Sequence, residues 1–370
     1  MTDTRIMPIV MPKWGLSMKE GKVTGWLMDD GAPIKPGDAI LEVETDKIAG
    51  AVEAHEAGVL RRRVGQPDTI YPVKTLLGVV ADPSVPDAEI DAFVASYVTP
   101  AAEDDGEEQG PKYEYADLPI GQLRYAKRGT GDETIILIHG FGGDLDSWLF
   151  NIDALGEVAT VYAVDLPGHG QSTKAIDKPG LTTLASAVSQ FMDKLGISRA
   201  HLVGHSMGGA VSMEAAASEP SKVKSLTLIC SAGLGSEIGG YVDDYVAAQG
   251  RKDLKPVLEL LFADKSLVSR QLVDDVLKFK RLDGVEPLLK DLSAALFAGR
   301  RQQQQPAQKL ADTKPPTLVI WGKQDQVIPV SHAQNLAGAK VVVFDDAGHM
   351  VFMEKANDVN SLIKSHVAGH

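Results

Sequence analysis

Ala200-His201-Leu202-Val203-Gly204-His205-Ser206-Met207-Gly208-Gly209-Ala210-Val211-Ser212-Met213 is the stretch from which the fold of most of the chain can be read. Ala200 to Val203 is strand-like, and Gly209 to Ser218 is helix-like. Between them Ser206 has a glycine two residues before and two after it, the spacing of a sharp strand-to-helix turn that exposes a serine hydroxyl. Small residues there let the backbone close up, and a helix N-terminus favours negative charge forming beside the serine. The spacing alone is common; strand before and helix after give it weight. Ser206 is the candidate nucleophile.

Outward from this turn run continuous apolar stretches: Thr134 to Ile138, Ser225 to Ile229, Thr317 to Trp321 and Lys340 to Phe344. Such runs fit strands of a parallel sheet buried on both faces, with helix-like segments such as Leu184 to Leu195 between them. Residues 236–312 break the alternation and read as a helical insertion between two strands. An acid and then a histidine should follow the serine in chain order. Asp325 lies just past one buried strand and His349 just past the next. The expected roles are nucleophile for Ser206, general base and acid for His349, and orienting group for Asp325. Asp345 and Asp346 compete for the acid's place and read as loop residues. Gly140-Phe141-Gly142-Gly143 follows the first strand and is the expected oxyanion loop, with N–H donors from Phe141 and Met207. His139, His169 and His205 read as turn or supporting residues, without a surrounding Cys/His/Asp cluster that suggests a metal. Arg300 and Arg301 mark a basic stretch of the insertion. On these motifs, with Asp165-Leu166-Pro167-Gly168-His169-Gly170-Gln171-Ser172 added, residues 118–370 resemble the α/β-hydrolase superfamily, and the resemblance makes 236–312 a cap over the site.

Residues 1–82 have a different texture. Short alternating runs such as Ala39-Ile40-Leu41-Glu42-Val43-Glu44 are separated by turn signals at Asp30-Gly31, Pro36-Gly37-Asp38 and Ala57-Gly58. This predicts a small all-β sandwich or barrel. Asp46-Lys47 falls at a hairpin turn, with the lysine projecting into solvent. Met11-Pro12-Lys13-Trp14-Gly15-Leu16-Ser17-Met18, Gly25-Trp26, Gly37-Asp38 and Glu42-Val43-Glu44-Thr45-Asp46-Lys47 resemble lipoyl domains of 2-oxo acid dehydrogenase-type complexes. Biotinyl domains share that fold but carry Met-Lys-Met at the tip. Here the tip is Asp46-Lys47-Ile48, so the resemblance implies lipoate on Lys47.

Residues 83–117 read as a flexible acidic linker, with a short helix at Ala88 to Tyr97 left open. An acidic block such as Glu103 to Glu108 buries no apolar surface. About 30 flexible residues span roughly 30 Å, enough for one domain to visit the other.

The chain of 370 residues is 44% hydrophobic and 24% charged with a net charge of -13, which disfavours nucleic acid and anionic membranes as partners. The single cysteine, Cys230, excludes an internal disulfide and reads as a buried strand residue. No basic-then-apolar leader and no apolar run of roughly 18 residues is present, so the expected location is cytoplasmic.

Taken together, the chain resembles the acetyltransferase components of bacterial acetoin dehydrogenase complexes. The resemblance implies an oligomer working with a thiamine-diphosphate enzyme that cleaves acetoin and loads acetyl onto the arm of Lys47. Coenzyme A would be co-substrate, and a dihydrolipoamide dehydrogenase would reoxidise the arm. The chain departs from ordinary 2-oxo acid dehydrogenase acyltransferases in having no C-terminal His-x-x-x-Asp-Gly and no small helical subunit-binding domain. Two other readings stand beside this one: an ester or thioester hydrolase tethered by a lipoyl domain, and a non-catalytic lipoyl carrier.

Overall fold

The computed structural model describes residues 5–12, 18, 20–45, 49–54, 56–99 and 113–370. The chain forms two compact units, Met1–Pro111 and Lys112–His370. They follow the expected order, a small β-sheet unit, which also carries one helix, and then an α/β unit with a helical insertion.

The first unit holds strands β1 (Ile6–Val10), β2 (Glu20–Trp26), β3 (Pro33–Ile34), β4 (Ala39–Glu44), β5 (Ala49–Glu53), β6 (Gly58–Arg63), β7 (Thr69–Pro72) and β8 (Leu76–Ala81). They form two four-stranded antiparallel sheets, in the orders β1-β8-β6-β3 and β5-β4-β2-β7. Alternation decides which side chains face inward: Leu41 and Val43 are fully buried, while Glu42 and Glu44 point outward. Val23, Ile40, Leu60 and Leu77 share that core. β4 and β5 form a hairpin in which Glu44 stands opposite Ala49. Lys47 belongs to the connection between them and lies outside the described residues.

The expected linker at 83–117 is shorter at both ends. Helix α1 (Asp87–Ser96) packs on the first unit, with Val85 and Ile90 buried against Val79 and Ala81 of β8. The outer face of β8 is apolar and needs that cover. Arg61 and Arg62 of β6 fix the helix by ion pairs to Asp87 (2.7 Å) and Asp91 (2.8 Å). At the other end, β9 (Tyr113–Leu118) begins the second unit's sheet, pairing antiparallel with β10 (Gly121–Arg128).

That sheet continues with β11 (Thr134–Ile138), β12 (Thr160–Val164), β13 (Ala200–His205), β14 (Val223–Ile229), β15 (Thr317–Gly322) and β16 (Lys340–Phe344). Its order is β16-β15-β14-β13-β11-β12-β10-β9, parallel from β12 through β16. The four apolar runs are β11, β14, β15 and β16, as their composition predicts. Helices α2 (Ile152–Gly156), α3 (Leu181–Leu195), α4 (Met207–Ser218), α9 (Val351–Glu354) and α10 (Ala356–Ala368) cover the sheet, with α3 against α4 and α10 against α2. From β11 the chain goes first to β12 on one side and then to β13 on the other. This reversal makes the C-terminal ends of β11 and β13 the switch point of the sheet, where open α/β sheets hold their ligands.

Between β14 and β15 lies the insertion: α5 (Tyr241–Ala247), α6 (Arg251–Glu259), α7 (Arg270–Lys280) and α8 (Val285–Phe297). Buried Gln302 joins its two ends. The Gln302 Oε1 accepts the Gly233 N–H (2.6 Å), and its Nε2 donates to the Glu237 carbonyl (2.8 Å).

Candidate active site

Ser206 sits between β13 and α4 with φ +52° and ψ -118°, a conformation that costs a non-glycine residue free energy. The surroundings hold it there. Its N–H donates to the Ile229 carbonyl (3.0 Å), and its own carbonyl accepts the N–H groups of Gly209 and Ala232 (3.0 Å each). The two flanking glycines are required by close approach. A Cβ at Gly204 would lie 2.4 Å from the Gly208 oxygen, and one at Gly208 would lie 2.2 Å from the Ile138 oxygen. The G-x-S-x-G spacing is therefore a packing requirement of the turn.

The His349 Nδ1 donates to the Asp325 Oδ2 at 2.8 Å, with both side chains almost wholly buried. The other oxygen of Asp325 accepts the N–H groups of Val327 (2.8 Å) and Ile328 (3.0 Å). The carboxylate is thus fixed from both sides. With Nδ1 committed to Asp325, Nε2 is the nitrogen of His349 left for exchange of a proton. Asp345 and Asp346 face away from this pair, bonded to Lys323 and Lys355 (2.6 Å each).

Three further side chains surround the pair; the sequence marks His205 as a turn or supporting residue and Cys230 as buried, and gives no sign of Glu354. Buried His205 donates its Nε2–H to the His349 carbonyl (3.0 Å), and its ring lies 4.6 Å from that of His349. Burial, and then His349 beside it, push the His205 imidazole well below its ordinary pKa, so it works as a neutral donor. The Glu354 carboxylate accepts the N–H groups of Gly348 (2.7 Å) and of Ala263 (2.8 Å), tying the loop before His349 to the insertion. Cys230 follows β14, where its sulfur, a carboxylate oxygen of Asp325 and a ring nitrogen of His349 lie within 4.8 Å of one another. Burial pushes its thiol well above the ordinary range, so it is a neutral neighbour of the pair.

The Gly140 loop follows β11 and passes so near the elbow that a Cβ on Gly140 would lie 3.1 Å from the Ser206 Cβ. His139 fixes its orientation. The His139 Nε2 accepts the Leu166 N–H (3.0 Å), so its Nδ1 carries the proton and donates to the Gly140 carbonyl (2.8 Å). Gly143 donates a second bond to that carbonyl (3.2 Å). A trans peptide points its N–H opposite to its C=O, so the Phe141 N–H is aimed by the two bonds on the Gly140 oxygen. Among the described residues the N–H groups of Phe141 and Met207 meet no acceptor. Behind the loop, buried Asp165 binds Arg124 (2.6 Å) and the N–H groups of Leu145 and Gln171 (2.8 Å each). Exposed Arg300 faces Asp243 (3.7 Å), and exposed Arg301 donates to Ser236 (3.3 Å).

A strained serine after β13, with a buried His–Asp pair on the loops after β15 and β16 of the same parallel sheet, defines a protein of the α/β-hydrolase class. Residues 133–356 match the family described as alpha/beta hydrolase fold, and residues 7–70 match the family described as biotin-requiring enzyme. The chain is 54% identical over 366 residues to the dihydrolipoyllysine-residue acetyltransferase component of the acetoin cleaving system of Cupriavidus necator, covering 98% of each chain. It is 46% identical to the component of the same name from Pseudomonas putida, over 99% of this chain and 100% of that one. The chain belongs to this acetyltransferase family. A meta-cleavage product hydrolase from Pseudomonas fluorescens has the fold of the second unit, with a TM-score of 0.64 at 22% identity over 69% of this chain and 97% of that one. Among the described residues no helix is long and apolar enough to cross a membrane.

Proposed function

We propose that this chain moves an acetyl group between a lipoyl arm on Lys47 and coenzyme A during acetoin breakdown, through Ser206. Membership of the acetyltransferase family supports the overall reaction. Two observations support the chemistry: the strained elbow at Ser206 and the buried His349–Asp325 pair on loops of the same sheet. The expected partners are a thiamine-diphosphate enzyme that cleaves acetoin and a dihydrolipoamide dehydrogenase.

The first unit suits an arm on Lys47. The β4–β5 hairpin ends in exposed Glu44 and half-buried Ala49 and Gly50, small residues that leave room beside the tip. Lipoate, amide-linked there, supplies a mobile dithiol that takes acetyl as a thioester. Ser206 Oγ attacks the thioester carbonyl of the acyl donor while its proton passes to His349 Nε2. The oxyanion is held by the N–H groups of Phe141 and Met207 and by the N-terminus of α4. One such donor contributes about 3 kcal/mol of transition-state stabilisation. The carbon–sulfur bond breaks, and His349 returns the proton to the departing sulfur, leaving acetyl-Ser206. The thiol of coenzyme A then gives its proton to His349 and attacks the ester, and Ser206 leaves with that proton. Asp325 holds the imidazole in the required tautomer and balances its positive charge. Water competes with the thiol. Ser206 and His349 are only 8% and 1% exposed beneath the insertion, which limits that competition.

The test incubates the protein with reduced lipoamide and acetyl-coenzyme A and measures acetyl-lipoamide and acetate separately, for wild type and Ser206→Ala. Ser206-dependent acetyl-lipoamide with little acetate is expected. Mostly acetate would make the second unit a tethered thioesterase. Products indifferent to Ser206 would remove the serine from the mechanism.

A further inference from the structure

Tyr245 of α5 reaches out of the insertion and donates its hydroxyl to the Gly142 carbonyl at 3.0 Å. Its side chain is held on every side. It is 1% exposed, and the ring of Phe141 meets its ring edge-on at 6.0 Å. The buried ammonium of Lys280, from α7, lies 4.8 Å from the Tyr245 ring centre and donates to the carbonyls of Tyr245 and Ala248 at the end of α5. Burial raises the phenol well above its ordinary pKa, so it stays a donor.

The hydrogen bonds form one continuous line. Tyr245 OH donates to the Gly142 oxygen, and the N–H of the same peptide unit, on Gly143, donates to the Gly140 oxygen. The N–H of that next peptide unit belongs to Phe141. Each bond orients its peptide plane and polarises the N–H on the far side.

We infer that Tyr245 is a positioning residue for acyl transfer, setting the Phe141 N–H through the Gly142 and Gly140 peptides. The inference rests on the reading of Phe141 as an oxyanion donor. It makes the insertion part of the machinery that stabilises the transition state, beyond its part in covering the site.

The experiment uses the full chain with p-nitrophenyl acetate as substrate and a small alkyl boronic acid as inhibitor. The boron accepts an electron pair from the Ser206 Oγ and becomes tetrahedral, so its affinity reports on the oxyanion donors. Tyr245→Phe keeps the ring and loses the hydroxyl. It should lower kcat and boronate affinity together, each on the order of tenfold, with KM changed by less than about twofold. Tyr241→Phe is the packing control, a buried tyrosine of the same helix whose ring lies 5.7 Å from that of Tyr245. It should match wild type. Unchanged kcat and boronate affinity in Tyr245→Phe, or an equal loss in Tyr241→Phe, would overturn the inference. Ser206→Ala separates the two levels. It should lose both turnover and boronate binding, and if it kept them the site reading itself would fall.

Discussion

In the first unit, β4 leaves a core where Leu41 and Val43 are fully buried and ends in an exposed Glu44, from which the chain runs through Lys47 into β5. In the second, β13 leaves an equally buried core and delivers Ser206 into a strained turn with 8% of its surface exposed. In the proposed reaction each unit supplies one reacting group: Lys47, in sequence between β4 and β5, and Ser206, after β13. The proposed arm on Lys47 needs reach, which an attachment point between two paired strands would give it. The proposed nucleophile needs aim, and Ser206 is held by bonds from β14, α4 and the segment after β14.

Four changes would break or sharpen this contrast. Ser206→Ala should lower both acetyl transfer and ester hydrolysis by about a millionfold. Lys47→Arg should abolish turnover of the assembled complex while leaving hydrolysis of a small free ester untouched. Complex turnover surviving Lys47→Arg would sink the mobile-arm idea. Asp325→Asn should reduce kcat by about ten-thousandfold with little change in KM, as the imidazole loses its tautomer; steady-state kinetics on the small ester decide this.

A packing change comes next. Ile90→Ala should cost the first unit about 3 kcal/mol by emptying the space between α1 and β8. Urea unfolding followed by calorimetry should show the loss there, with ester hydrolysis by the second unit unchanged. An equal loss in both units would mean that they unfold as one.

The smallest effect is one of pH. His139, His169, His205 and His366 are all held neutral by burial, His366 pushed down to about 4. Below about 6.5 the unfolded chain takes up these protons and the folded unit does not. Stability is therefore full above that pH and falls as pH drops toward the folded values, by about 1.4 kcal/mol per pH unit for each histidine. The four lie in the second unit, and the first contains only His55 among the nine histidines. Calorimetry between pH 7 and 5 should show the second unit's transition moving down further than the first's. Parallel movement would contradict the burial argument.

What sequence conveyed was local. The elbow at Ser206, the apolar runs and the order of Asp325 and His349 each lie within a few residues of a strand end. The linker was misread because Tyr113 to Leu118 carries Glu114 and Asp117 on an edge strand with one wet face, and charge there looks like disorder. Helix α1 was left open because its few apolar residues acquire meaning only against the outer face of β8. His205, Glu354 and Tyr245 bond backbone groups 144, 91 and 103 residues away in sequence. A bond from Tyr245 to Gly142 leaves no spacing to detect.

Gln302 has a consequence for how such a chain can change. Its amide bonds to Gly233 and Glu237 bring the two ends of the insertion together beside the sheet. Everything between is a closed cassette of helices. A cassette of different length could be exchanged there with the strands, the elbow and the His–Asp pair left in place, provided it brings its own tyrosine to Gly142.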